Sequence, residues 1–380
     1  MRILLVGEYS RLHNSLKEGL IALGHEVTLV GDGDGFKQFP VDHSIAPRFC
    51  STKIINVPRQ AIFRLSGYDI TKIERGVRFY FLLKKLKDYD IVQLINEAPI
   101  KTGPALEKRL LGKLVSQNKK TFLLACGIDY ITVNFLFSGG FRYSLIDPYL
   151  HDKTLRPLYS YIFDYITAKH KKLHEFVFGK VSGVIASDMD YYLPMHGHPK
   201  FLGLIPNPVN LDRLDMPANP IFGKVVLFLG INRGTYHQKG IPFFEKALKI
   251  VSQKYAGKIE IIIVKNIPYA QYINLYNKAH ILLDQVYAYD QGYNALEAMA
   301  KGKVVFTGAE KEFMDYYGLK EKVAVNALPD VNSIVEELSY LIENQSEIVS
   351  IGNRARAFIE REHSHINVAG KYLDKWKSSQ

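Results

Sequence analysis

The chain has 380 residues, of which 47% are hydrophobic and 23% charged, with 49 Lys+Arg against 38 Asp+Glu and a formal net charge of +11. At about 100–200 residues per domain this predicts two globular domains, and the composition excludes a disordered or fibrous chain. Cys50 and Cys126 are the only cysteines, which excludes a disulfide framework and predicts a reducing, cytoplasmic setting.

The opening MRILLVGEYS is a short apolar run closed by a glycine turn, and it reads as a first β-strand and not as a signal peptide. Ser10 is placed to cap the helix that follows. Leu12, Leu16, Leu20 and Leu23 keep helical spacing, and Gly24 closes that helix. Short runs rich in Val, Ile and Leu then recur at 25–31, 90–96, 120–127 and 181–188, and again at 223–230, 258–265, 279–286, 302–308 and 322–327. Runs of this length fit parallel strands covered on both faces, and their alternation with helical patterns implies βαβ units. Between the halves lies IPNPVNLDRLDMPANP, with four prolines, which reads as a linker. No run reaches about 18 uninterrupted apolar residues, so no spanning helix is expected. The predicted fold class is α/β: two Rossmann-like, doubly wound parallel-sheet domains facing a cleft. In such sheets ligands bind beyond the C-terminal ends of the strands.

The second half carries the sharper chemistry. INRGTYHQKG follows the strand ending at Gly230 and puts Arg233 and Lys239 in one loop before a helix. A guanidinium that binds bidentately and a point-charge ammonium suit a diphosphate. Further on, YDQGYNALEAMAKGKVVFTG places Gly292 just before a helix, so the free N–H groups near Gly292, Tyr293 and Asn294 can face an anion. Glu297, near the start of that helix, can accept hydrogen bonds from vicinal ribose hydroxyls, or can serve only the helix dipole.

The order of apolar strand, Arg233, Lys239-Gly240, then Gly292 with Leu296-Glu297-Ala298-Met299-Ala300 and Gly302, resembles the donor domain of the family 4 retaining glycosyltransferases of GT-B fold, also called group 1 glycosyltransferases. IPNPVNLD at 205–212 resembles the family's domain junction. The resemblance implies that Arg233 and Lys239 bind the donor diphosphate, that Glu297 is the second Glu of the E-x7-E motif and holds the ribose, and that Gly292 is the motif's internal glycine. It also implies a final segment, 358–380, that returns to the first domain as a helix. The first Glu of the motif would fall at Tyr289; Asp290, one residue later, is a possible substitute, and Gln291 and Asn294 stand where the family has an aromatic and a proline.

The first half is similar more loosely. Gly7 alone remains of the glycine pair in the family's first loop, and ACGIDY at 125–130 resembles its G-x-D turn, with Asp129 either pointing to the cleft or stabilising its own turn. Asn96 and Glu97 end another strand and are further candidates. Residues 1–200 hold 28 Lys+Arg against 19 Asp+Glu, and residues 201–380 hold 21 against 19. RGVRFYFLLKKLK at 75–87 fits either an amphipathic helix on an anionic membrane or an ordinary helix with a solvated lysine face. His170 and His174, His196 and His198, and His363 and His365 have metal spacing, but no cysteine or carboxylate set completes them, so no zinc site is expected. Gly31-Asp32-Gly33-Asp34-Gly35 reads as a turn, and nothing resembles a nucleic-acid module, so no nucleic-acid partner is expected.

The expected organisation is an acceptor-binding domain over 1–205, a linker over 206–222, a nucleotide-sugar-binding domain over 223–357, and a C-terminal helix over 358–380. The expected activity is transfer of a sugar from a nucleoside diphosphate sugar to a hydroxyl of a glycan or lipid-linked acceptor. No metal or other cofactor is expected, because Arg233 and Lys239 supply the positive charge. The expected location is cytoplasmic, with an anionic membrane surface as a further partner. The alternatives are a degenerate binder of sugar nucleotides, on the strength of Tyr289, and an epimerase of the same architecture.

Overall fold

The ten apolar runs all become strands. In the computed structural model, which describes every residue except 51, 68, 217–219, 266, 268 and 380, they build two parallel sheets. The first contains β1 (Arg2–Val6), β2 (Glu26–Gly31), β3 (His43–Ser44), β4 (Ile91–Leu94), β5 (Lys120–Ala125), β6 (Gly183–Ala186) and β7 (Phe201–Leu204), ordered β3-β2-β1-β4-β5-β6-β7. The second contains β8 (Val225–Ile231), β9 (Ile259–Lys265), β10 (Ile281–Leu283), β11 (Val304–Thr307) and β12 (Val325–Asn326), ordered β12-β11-β10-β8-β9. In each sheet the central strand is paired on both sides, β4 with β1 and β5, and β10 with β8 and β11. Ile3, Leu4, Leu5 and Val6 are fully buried, as a strand covered on both faces requires.

The helix Leu12–Ala22 ends as its sequence predicts. Gly24 sits at φ +81, its N–H donates to Ile21 O at 2.9 Å, and the His25 N–H donates to Leu20 O at 3.1 Å, a double closure that needs a left-handed residue. Its start differs from expectation. Ser10 does not cap it: the capping position is Arg11, at φ 72 and without a side-chain cap, while Ser10 N–H donates to Asp34 at 2.9 Å. The Glu8 carboxylate reaches over instead and accepts from the Asn14 N–H at 2.9 Å, satisfying a free donor of the first turn.

The chain divides into two units. The first is Met1–Asn134, Tyr161–Pro208 and His365–Gln380, and the second is Phe135–Ser160 and Val209–Ser364. Two features depart from a simple division near residue 205. The helix His365–Ser378 joins the first unit, where the Trp376 indole N–H donates to Gln93 Oε1 at 3.0 Å. Residues 135–160 join the second unit, because Phe141, Arg142 and Tyr143 pack and pair with Tyr289, Glu310 and Glu312. Residues 217–219 of the expected linker lie outside the described residues. Among the described residues, no helix is long and apolar enough to cross a membrane.

Candidate active site

In the second unit Lys239, from the loop after β8, and Asn294, after β10, meet at Asp284. Gly240 follows Lys239 at φ +67, and a Cβ there would lie 2.6 Å from Val286 Cβ, so only glycine lets this turn sit against the end of β10. The Val286 N–H donates to Lys239 O at 2.9 Å and fixes the register. Lys239 Nζ then lies 2.8 Å from Asp284 Oδ1, with the lysine side chain 32% exposed and the aspartate 2%. Asn294 Nδ2 donates to the same oxygen at 2.9 Å, and its own Oδ1 accepts from Tyr272 at 3.1 Å. A buried carboxylate thus pins an ammonium and an amide beside the first turn of the helix Tyr293–Ala300.

Gly292 caps that helix at φ −80, which any residue can adopt. A Cβ built on it would meet only Gln285 Nε2, at 3.9 Å, so the space before the helix start is open. Tyr293 and Glu297 are half-buried on the same helix. Arg233 is exposed on a short turn, Arg233–Thr235, and among the described residues its guanidinium has no ion-pair partner. The structure therefore joins Lys239, Asn294 and the Gly292 helix start through Asp284, and leaves Arg233 outside that network.

Position 289 is filled differently from the motif. Tyr289 is buried, its ring 5.0 Å from Phe141 and 5.4 Å from Tyr143, and its hydroxyl accepts from the Arg142 N–H at 2.7 Å. The nearby carboxylate is Glu310, which accepts from Tyr143, from Asn326 at 2.7 Å and from Arg142 at 2.6 Å. Burial pushes Glu310 up, but these hydrogen bonds outweigh it and hold the carboxyl below its ordinary range. Asp290 is also buried and accepts from the Gln291 N–H at 2.7 Å.

In the first unit, Gly7 sits at φ +93, and a Cβ there would lie 2.2 Å from Ile95 Cγ2, so packing and backbone both demand glycine. Asp129 is buried and accepts from the Thr132 N–H at 2.6 Å, capping the helix Tyr130–Phe137. Burial, then the nearby Glu97, pushes it up to about 6. Glu97 lies between two imidazoles, 2.5 Å from His174 Nδ1 and 3.4 Å from His170 Nε2. Among the described residues, no group of three or more His, Cys, Asp or Glu side chains is arranged to hold a metal ion.

Residues 238–374 match the model of a family described as glycosyl transferase-like. In structure the chain is similar to the sucrose-phosphate synthase of Thermosynechococcus elongatus, at 15% identity and a TM-score of 0.60, over 99% of this chain and 98% of that one. It is similar also to HepE of Anabaena, solved with UDP and glucose, at 12% identity and a TM-score of 0.58, over 100% of both chains. The chain has the GT-B fold. A third likeness is to a TarM variant of S. aureus solved with UDP, at 13% identity and a TM-score of 0.51, covering 81% of this chain and 59% of that one. No curated protein matches the sequence. The chain resembles the group 1 glycosyltransferases, and the family match together with these likenesses supports a glycosyltransferase.

Within this GT-B chain, three functional candidates escaped sequence reading. Asp284 was visible only as a polar residue inside the run AHILLDQV. Glu310 follows β11 with no motif around it. The pairing of His170 and His174 with Glu97 spans 73 and 77 positions, beyond any local spacing rule.

Proposed function

We propose that the chain transfers a sugar from a nucleoside diphosphate sugar to a hydroxyl of a glycan or lipid-linked acceptor, in the synthesis of a surface polysaccharide or other glycoconjugate. The observation that carries this reading is the Lys239–Asp284–Asn294 network beside the open helix start at Gly292. An ammonium held by a buried carboxylate keeps its remaining donors aimed, and free helix N–H groups add positive potential without a metal ion. Arg233, exposed and unpaired among the described residues, would join the diphosphate from its turn. Together Arg233, Lys239 and the 292–294 amides would stabilise the charge that develops on the leaving diphosphate. Glu297 would take the ribose hydroxyls, with Tyr293, Asp290 and Gly7 near the donor, and Asp129 would act as a catalytic residue. Retention at the anomeric carbon follows from the resemblance alone. The reading places the protein in the cytoplasm, against the inner face of an anionic membrane.

A second reading is favoured by Tyr289. A tyrosine sits where the motif has a carboxylate, so the chain would bind sugar nucleotides without transferring the sugar. One experiment separates the two. A thermal-shift panel of nucleoside diphosphate sugars identifies the donor, since a ligand at 100 times its Kd stabilises by about 2.7 kcal/mol. Release of nucleoside diphosphate is then measured with and without glycan acceptors. Release that rises with an acceptor is the expected result; binding without release leaves the second reading, and no binding by any member of the panel defeats both.

A further inference from the structure

The helix Ala168–Lys180 carries His170 and His174 one turn apart, and both rings meet Glu97, which follows β4. A carboxylate only accepts, so the His174 Nδ1 at 2.5 Å must carry the proton of that hydrogen bond. In the neutral ring Nε2 is then a bare acceptor, and in the charged ring it is a donor. The side chain of His174 is 12% exposed, and Nε2 has no partner among the described residues and is not one of the buried, unpaired atoms. The ring cannot drift, because Tyr130 stacks on it with centroids 4.6 Å apart and Phe178 lies 4.2 Å away. Burial pushes Glu97 up, but the bonds from His170 and His174 outweigh it and hold the carboxyl below its ordinary range. A buried ionised carboxylate, an oriented imidazole with one free nitrogen, and an aromatic face therefore stand together at the ligand-binding end of this sheet.

The surrounding charge narrows the ligand. Asp129 adds a second buried carboxyl beside Glu97. Lys101 lies over the Tyr9 ring and is paired with Asp32 at 2.8 Å. A phosphate would meet repulsion from the carboxylates of Glu97 and Asp129, whereas hydroxyls would find acceptors and a ring face.

We propose that His174, fixed by Glu97 and flanked by Tyr130, binds a hydroxyl of an uncharged sugar or polyol. His174 touches the ligand, and Glu97 is a positioning residue that sets the tautomer. The inference rests on the glycosyltransferase reading and deepens it, by making the portion of the acceptor held at this site neutral. The test uses the full chain, wild type and His174→Gln, with histidine-ring proton–nitrogen spectra during separate titrations with methyl glucoside, methyl N-acetylglucosaminide, glycerol 3-phosphate and UDP. A neutral glycoside should shift the His174 ring signals saturably and bind the variant at least tenfold more weakly, while glycerol 3-phosphate leaves the ring unmoved. Glu97→Gln keeps an oxygen acceptor for Nδ1 and should retain affinity within about threefold, whereas Glu97→Ala should lose tenfold or more. Ring signals that no neutral glycoside moves, equal glycoside binding by His174→Gln, equal response to glycerol 3-phosphate, or equal loss in both Glu97 variants overturns the inference. Calorimetry with UDP runs beside it: failure of UDP to bind either protein overturns the donor reading, and the glycoside arm still decides the role of His174.

Discussion

At Glu8 one carboxylate oxygen accepts from the backbone and side-chain nitrogens of Asn14 at 2.9 and 2.6 Å, while the other is buried without a partner. Burial raises the carboxyl from 4.5 to about 7, against the hydrogen bonds from Asn14. An acid with a raised folded pKa holds its proton longer folded than unfolded, so its contribution to stability falls as pH rises from about 4.5 to 7 and is level above. Glu8→Gln stays neutral, accepts the same two bonds and has no such slope. Its stability relative to wild type should therefore rise by about 2–4 kcal/mol between pH 4.5 and pH 8. Urea titrations at the two pH values measure that difference, and an unchanged gap between variant and wild type would contradict it. The proposed donor residues give a second test at this scale. Arg233→Ala and Lys239→Ala should each weaken binding of the nucleoside diphosphate by about 1.5–3 kcal/mol, the range of a charge-assisted hydrogen bond. The lysine variant should also lose stability, since it strands the buried Asp284; calorimetry that finds native affinity in both variants removes them from the site. Glu297→Gln should weaken binding of the nucleoside diphosphate but not of inorganic diphosphate, because its proposed partner is the ribose.

Two glycines separate packing from propensity at the scale of elements. A Cβ on Gly19 would lie 2.2 Å from the His365 carbonyl oxygen, so the helices Leu12–Ala22 and His365–Ser378 touch backbone to side-chain position there. Gly19→Ala should push the terminal helix away and destabilise by about 1–3 kcal/mol. Gly370, inside the same terminal helix, has nothing within 4 Å of its would-be Cβ, and Gly370→Ala should stabilise by about 0.5–1 kcal/mol. Chemical denaturation reads both signs; a neutral Gly19→Ala would mean that the helix contact relaxes freely. Which elements were legible follows the same physics. Strands buried on both faces leave unbroken apolar runs, so β1, β4, β5, β6, β8, β10 and β11 stood out, and the partly exposed β9 stood out by its run of isoleucines. β3 has only two residues, and β7 is the partly buried FLGL with Gly203 at φ +109, so neither leaves a run. Lys239, Gly240, Gly292 and Asn294 stood out in the sequence because one loop and one helix start carry them at local spacing. Asp284, Glu310 and the Glu97–His174 pair were not, because partners from separate elements carry no shared spacing.

The whole molecule is basic, and its surplus lies in one stretch, with 15 Lys+Arg against 6 Asp+Glu over residues 53–120. The structure shows what accompanies that charge. The helices Lys53–Ser66 and Thr71–Leu82 turn Gly76 and Phe79 inward, but leave Val57, Leu65, Tyr80 and Phe81 outward, with Leu65 90% and Phe81 67% exposed. Lys84, Lys85 and Lys87 follow, all exposed and without ion pairs among the described residues. Of the two readings open for residues 75–87, exposed aromatics beside unpaired lysines favour an anionic bilayer over an ordinary solvated face. The expected result is co-sedimentation with vesicles containing anionic lipid and little with neutral ones. Two components should separate. Each lysine near the surface contributes about 1 kcal/mol of attraction, so Lys84→Glu, Lys85→Glu and Lys87→Glu together should abolish most binding at about 0.1 M salt. At about 1 M salt, where the screening length falls to about 3 Å, wild type and this triple variant should bind alike. Leu65→Ser with Phe81→Ser should weaken binding at both salt concentrations, because burial of apolar side chains in the interface is not screened. Equal partition of wild type to neutral and anionic vesicles, or none to either, would reduce the charge to a solubility feature and turn the acceptor towards a soluble glycan.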